Sequence, residues 1–350
     1  MSLYKKFDLP KPEPDFNRVL KALQCLQPDR VPLVELGVDN IIIEKFIKRT
    51  ITGINDLVEF SLNAGYDYLM TGVFSRHNIG MDDHNLKIQL KKWSEDKTGI
   101  INSWDDFKAF KWPSPDDIDL FHINDYIKSV PEDMGIILEA NALFDAAYLL
   151  MGFENLCIST VEDPELPKAI IDKVGKVIVE QVKRGFEYSR IGAFWLCDDI
   201  AFGSGLMVKP EFYRKYLFPW YKEIGDLCRQ KGIPLLFHSD GNYQEVIEDL
   251  VLLGVNAINP VEPKSMDMGK IKDLYGGRLC LVGNIDIDYT LTEGTVSEVE
   301  AEVKMRIREV APGGGYCIGS SNSITSYVKF ENYLAMIRTA LKYGSYPINF

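Results

Sequence analysis

Histidine is scarce in this sequence, with four in 350 residues, and its six cysteines stand far apart without a C-x-x-C pair. Scattered thiols argue against a disulfide framework and fit a reducing compartment. No apolar run approaches the roughly 18 residues that a membrane-spanning helix needs. The N-terminal "MSLYKKFDLPKPEPDF" lacks the apolar core of a signal peptide. Positive charge is also short: 39 Lys and Arg stand against 51 Asp and Glu, a formal charge of −12. Nucleic acid and anionic membrane both reward clustered cations, so neither is an expected partner. Internal repeats, linkers and low-complexity tracts are absent as well. Together these absences predict a soluble cytoplasmic protein that handles a small molecule. A composition of 46% hydrophobic and 26% charged residues supports a sizeable core.

What is present is a rhythm. Short apolar runs rich in Val, Ile and aromatics read as strands at 31–37, 66–72, 135–141, 191–199, 233–238, 255–260, 279–286 and 314–319. Helical patterns separate them, at 167–190, 209–230, 242–253, 295–309 and 330–343. Thr295 followed by Glu298 has the spacing of a capping box, and Gly344 ends the last helix. Strands buried on both faces and alternating with helices predict an α/β protein with a parallel sheet. Eight of them predict closure into a (β/α)8 TIM barrel over residues 1–350 as one domain. The alternative, an open doubly wound sheet, would show a Gly-rich phosphate turn after the first run, and "ELGVDN" is not one. Residues 73–133 break the rhythm. They contain the alternating "LKIQLKKW" (86–93) and read as a lid-like excursion between strands two and three, or equally as a structural flap.

Barrel enzymes work at the C-terminal ends of their strands. The runs here end in Glu35, in Glu139 and Asn141, in Asp198 and Asp199, in His238 and Asp240, in Asn284 and Asp286, and in "SSNS" containing Asn322. Asn40, Asp199, Asp240 and Asn242 can equally cap the helices that follow. "IPLLFHSDGN" (233–242) is the sharpest case, because His238 and Asp240 stand two residues apart and so point the same way. The expected catalytic group is His238, Asp240, Asp199 and Glu139, with Glu35, Asn141, Asn284, Asp286 and Asn322 binding substrate. His238 and Asp240 can supply two ligands of a zinc site that needs three. Glu139, Asp199 and Cys317 remain open as the third. Without metal, the same pair is an acid–base couple working near neutral pH.

Four stretches carry a family resemblance: "RVLKALQCLQPDRVPLVELG", "LFHSDGNYQEVIEDLVLLGVNAINPVEP", "LVGNIDIDYTLTEGTVSEV" and "GGGYCIGSSNSITSYVKFENYLAMI". Together they resemble the uroporphyrinogen decarboxylase superfamily, which holds the decarboxylase and zinc-dependent corrinoid and coenzyme-M methyltransferases. The resemblance implies a distorted (β/α)8 barrel with its pocket at the C-terminal mouth, and a homodimer. Two departures matter. The decarboxylases carry an Arg-rich signature after the first strand, where this chain reads "VELGVDN". A polycarboxylate substrate calls for guanidinium groups. The methyltransferases hold zinc with a His-x-Cys-Gly motif and a later cysteine. Here the first reads His238-Ser239-Asp240-Gly241, and the second falls on Asn322, or on Cys317 after a shift. The resemblance therefore implies a one-carbon transferase using zinc and a corrinoid carried by a partner protein, with a thiol or folate acceptor. A cofactor-free decarboxylase of a carboxylated small molecule is the alternative, and a non-catalytic binding protein the third reading.

Overall fold

Seven of the eight apolar runs pair edge to edge in one parallel sheet: β1 Tyr68–Phe74, β2 Gly135–Asn141, β3 Ile191–Cys197, β6 Leu235–His238, β7 Val255–Asn259, β8 Cys280–Val282 and β9 Tyr316–Cys317. Their spatial order follows their chain order, each step crossing over through helical chain, as parallel neighbours require. β4 Ala201–Phe202 and β5 Gly205–Leu206 form a small antiparallel hairpin beyond β3 that the sequence pattern did not announce. The structure, a computed structural model, describes residues 2–74, 76–79, 99–141 and 143–350. The strand expected at 86–93 lies outside the described residues.

One face of the sheet meets helices. An added Cβ on Gly185 of the helix Glu165–Gly185 would strike Leu138. Phe194 stacks edge-on against Phe186, and Phe237 packs on Tyr221 of the helix Phe218–Lys231. These residues sit on alternate positions of their strands, so their neighbours Glu139, Trp195 and His238 face the other way, into the barrel. The capping box holds as read: Glu298 N–H donates to the Thr295 hydroxyl, and Thr295 N–H donates to Glu298 Oε2 at 2.7 Å.

The first stave departs from expectation. Residues 31–37 form no regular strand; Leu33 and Val38 make single parallel bridges to Ile318 and Ile324. Pro32 has no N–H to offer a ladder. At residue 35 both backbone groups are taken by a side chain, since Glu35 N–H donates to the Tyr68 hydroxyl at 2.8 Å and that hydroxyl donates to Glu35 O at 2.6 Å. Among the described residues no backbone hydrogen bond joins this stave to β1. The result is the distorted barrel: seven laddered strands and an eighth stave whose backbone bridges reach one side only, the Tyr68 hydroxyl holding it to β1 on the other. The runs at 279–286 and 314–319 also shrink to three and two residues of strand. The excursion begins later than read, because β1 continues through Phe74, and it includes short helices Trp104–Ala109 and Ile123–Ser129.

Glu35 ties this stave to the end of β9. Its Oε1 accepts from Ser320 N–H at 2.8 Å and its Oε2 meets the Ser320 hydroxyl at 2.6 Å. Complete burial pushes its carboxyl up to about 8, against the opposing effect of those Ser320 bonds. The unfolded chain releases this proton near pH 4.5 while the fold keeps it to about pH 8. Between those limits the folded state binds more protons, so the Glu35 contribution to stability falls as pH rises. Glu35→Gln preserves the acceptor and removes the titration. Its stability relative to the parent is expected to increase steadily from pH 4.5 to 8, by a few kcal/mol as an order of magnitude. Paired urea titrations across that range check it.

Candidate functional site

The register of the ladder places the site. His238 is the cross-strand partner of Cys197 on one side and of Asn259 on the other, and Cys197 is the partner of Asn141. Aligned residues of parallel neighbours project to the same face, so Asn141, Cys197, His238 and Asn259 form one inward tier at the C-terminal end of the strands. Glu139, the partner of Trp195, lies one tier below on the same face. Asp199 and Asp240 each stand two residues beyond the ends of β3 and β6.

Three of these groups converge. His238 Nε2 lies 3.5 Å from Asp240 Oδ1 and 3.9 Å from Asp199 Oδ1. One ligand atom from each of the three residues falls within 4.8 Å of the others. The imidazole orientation is fixed from behind. Its Nδ1 stands 2.7 Å from Asn259 Oδ1, while the Asn259 amide donates to Val282 O at 3.3 Å. Since the amide nitrogen is engaged with a carbonyl, its oxygen is left as an acceptor, and Nδ1 must carry the proton. In neutral His238 the Nε2 lone pair then faces the two carboxylates, the state a base or a metal ligand requires. Asn259→Leu removes this constraint at similar volume. A loss of about 10–100-fold in metal affinity or turnover is expected, with the fold retained; metal titration of the variant beside a thermal melt tests it.

The carboxylates are held as firmly. Asn322 Nδ2 donates to Asp240 at 2.9 and 3.0 Å, and Asp240 N–H donates to Asp199 Oδ1 at 2.9 Å. Neither aspartate caps a helix, so the capping alternative does not apply to them, whereas Asn242 does accept from Gln244 N–H within its own turn. Burial raises Asp240 to about 6; His238 opposes that rise, and the Asp199 and Glu262 carboxylates add to it. Glu262 sits close by, accepting from Gly241 N–H and the Ser265 hydroxyl. Among the described residues no lysine or arginine pairs with Asp199, Asp240 or Glu262. Burial likewise raises Glu139, with His238 again opposing. The Cys197 thiol is pushed well up, first by burial and then by surrounding carboxylates, so it stands beside His238 as a neutral thiol.

Beneath the rim, Asp198 is buried and accepts from Phe144 N–H, Asp145 N–H and the Tyr221 hydroxyl, all at 2.7–2.9 Å. Asp145 in turn accepts from Asp199 N–H. This buried pair locks the start of the helix Phe144–Met151 to the strand end that presents Asp199.

Other expected residues are placed elsewhere. Glu35 holds Ser320 within the wall instead of opening onto the rim. Asp286 shapes its own turn, accepting from the N–H groups of Asp288 and Tyr289. Asn284 donates to Val261 O at 2.6 Å and borders a different recess with Lys264, Ser265 and Arg306. Asn141 stays in the inward tier, with its Oδ1 buried and without a partner among the described residues. Cys317 lies 3.9 Å from Cys280 in the barrel wall, and the ligand group forms without it. Asn259 and Glu262 were missed. The signal for Asn259 was available, a polar residue closing an apolar run just before Pro260. Glu262 lies in the loop and offered none.

A distorted parallel α/β barrel, with histidine and carboxylates gathered at the C-terminal ends of its strands, places these residues where barrels of this class carry their sites. The chain belongs to the uroporphyrinogen decarboxylase (URO-D) family, whose profile matches residues 89–343. A uroporphyrinogen decarboxylase of Geobacter sulfurreducens is 22% identical over 251 residues, covering 68% of this chain and 69% of that protein. The decarboxylase of Chlorobium phaeovibrioides is 28% identical over 147 residues, so the match spans 40% of this chain and only 38% of the relative's length. A methylcobamide:CoM methyltransferase of Methanosarcina mazei is 29% identical over 140 residues, covering 39% and 38%. Among solved structures, a methyltransferase from Methanosarcina mazei superposes with a TM-score of 0.69 at 17% identity, covering 94% of this chain and 99% of that one. That likeness supports the fold. No helix among the described residues is long and apolar enough to cross a membrane.

Proposed function

We propose that this chain is a one-carbon transferase. It moves a methyl group among a small methylated compound, a corrinoid carried by a partner protein and a thiol or folate acceptor, at a divalent ion held by Asp199, His238 and Asp240. The observation that carries this reading is the convergence of three ligand atoms, with the Nε2 lone pair turned toward two carboxylates by Asn259. The donor set fits a cation. Carboxylates crowd together with no lysine or arginine partner among the described residues, and a divalent ion relieves their repulsion. Zinc accepts one imidazole and two carboxylate oxygens, although this set is harder than one built on thiolates. When bound, such an ion favours the deprotonated form of a coordinated thiol or water. The chain's own residues do the rest: Asn259 orients the imidazole, Asn322 and the Asp240 N–H hold the two aspartates in place, and Glu139, whose carboxyl burial pushes up, stands one tier below.

The arginine-poor rim weighs against decarboxylation of a porphyrinogen, whose carboxylates need guanidinium partners. The test has two parts. Elemental analysis of untreated, freshly purified protein is expected to give one zinc per chain. Incubation with methylcobalamin and a thiol is expected to demethylate the corrinoid and yield the thioether. Protein that holds no metal and binds neither cobalamin nor folate overturns the reading; coproporphyrinogen formed from uroporphyrinogen replaces it with decarboxylation.

A further inference from the structure

A second polar recess lies behind the loop that carries Glu262. Its volume is about 400 Å³, and it is lined by Lys264, Ser265 and Asp267 of the loop 260–267, by Asn284 beyond β8, and by Arg306 of the helix Val296–Val310. Ser265 marks how close this recess comes to the rim. Its hydroxyl donates to Glu262 Oε2 at 3.0 Å, and Glu262 accepts from Gly241 N–H beside Asp240. None of Asp199, His238 and Asp240 lines the recess.

Arg306 is the anomaly. Its side chain is only 17% exposed, yet its Nε is buried without an acceptor. Its one ion pair among the described residues is long, with Glu309 Oε2 3.9 Å from Nη1, and Glu309 is exposed. Glu302, four residues earlier on the same helix, is spaced to be the ordinary partner. Its carboxylate is instead engaged by Asp286 N–H at 3.1 Å, and it forms no ion pair with Arg306 among the described residues. The other charges in the lining are matched. Asp267 accepts from Lys270 N–H at 3.1 Å and stands 3.5 Å from Lys270 Nζ. Lys264 Nζ meets Asp288 Oδ2 at 2.7 Å. Both of those side chains are exposed, so that pair is weak and Lys264 can exchange its partner. Arg306 is the cation left over.

A largely buried guanidinium without acceptors is costly, and an oxyanion removes the cost by meeting its planar fork with two oxygens. A carboxylate brings one charge, which Arg306 alone would satisfy. A phosphate brings up to two charges and further oxygens, which suits a recess with cations from both the loop and the helix. We propose that the recess between the loop 260–267 and the helix Val296–Val310 is a phosphate-binding site, anchored by the Arg306 guanidinium with Lys264 as the second cation. The phosphate is a free ion or the end of a larger molecule. The inference goes beyond the methyl-transfer reading and does not depend on it.

The test uses metal-free protein with a chelator at constant ionic strength, so that phosphate cannot bind through an ion at the rim. Protein labelled with 13C in the methionine methyl groups is titrated with inorganic phosphate and followed by NMR. Met266 and Met268 both line the recess, and Met266→Leu and Met268→Leu assign their resonances. Phosphate is expected to shift at least one of them in a saturable way at millimolar concentrations. Arg306→Gln is expected to weaken that binding at least tenfold, and Lys264→Gln about threefold. His238→Ala is expected to leave it within twofold. Acetate is expected to bind at least fivefold more weakly than phosphate. The proposal is overturned if neither resonance moves, if Arg306→Gln binds phosphate like the parent, if His238→Ala abolishes the shift, or if acetate binds as tightly. The readout on the parent, together with the exposed Lys264→Gln, decides the matter even if Arg306→Gln fails to fold. Phenyl phosphate separates the two sources: tighter binding than inorganic phosphate means a group carried on a larger molecule, and weaker binding means a free ion.

Discussion

If the chain is the proposed metal-dependent transferase, replacing His238 with alanine is expected to abolish divalent-ion binding and reduce methyl transfer by three orders of magnitude or more, while the melting profile of the metal-free protein hardly changes. Two features set the size of the effect. His238 is the only nitrogen donor in the ligand group, and two carboxylates alone make a poor three-ligand zinc site. It also opposes the rise that burial imposes on the Asp240 carboxyl. Loss of the imidazole leaves crowded carboxyls, and Asp240 is expected to hold a proton to higher pH than in the parent. Stability should survive because His238 closes its strand, with the ladder and the outward Phe237 contacts intact. Elemental analysis and turnover, measured beside a metal-free melt, test the prediction. Parent-like zinc content in the variant would place the ion elsewhere.

The second large effect concerns stability. Asp198→Ala is expected to destabilise the fold by about 3–5 kcal/mol, because three buried donors lose their acceptor together. Asp198→Asn keeps one acceptor oxygen and removes the repulsion from Asp145, which burial and proximity make unfavourable when both are ionised. It is expected to cost about 1 kcal/mol. Urea denaturation midpoints of the two variants distinguish this account from a simple loss of side-chain volume, under which both would be harmful in proportion to their size change. Since Asp145 also receives the Asp199 N–H, the alanine variant should lower metal affinity as well.

The sequence and the structure agree most closely where the fold repeats a unit. Strands buried on both faces are legible as apolar runs, and the polar residue that ends each run marks the rim, as at Asn141 and His238. The i, i+2 spacing of His238 and Asp240 predicted a shared direction, and they do share the rim with Asp199. Spacing alone left the third ligand open, because Asp199, Glu139 and Cys317 belong to different strands and only the barrel's register ranks them. Glu35 read as a rim residue for a physical reason. An acidic residue closing an apolar run looks the same whether it meets solvent or a serine across a seam. Asp286 was an ordinary turn former, and the two N–H groups it accepts lie two and three residues on, a local pattern easily mistaken for a site. The first stave's irregularity followed from Pro32 and from a tyrosine 33 residues away, and only the first of these is local.

X-ray absorption at the zinc edge of the purified protein tests the central claim most directly, since it reports which elements touch the ion. One zinc per chain with only nitrogen and oxygen neighbours, near 2.0–2.1 Å, is the result expected from Asp199, His238 and Asp240. A sulfur neighbour near 2.3 Å would assign the metal to a cysteine instead, and protein free of any divalent ion would contradict the rim as a metal centre.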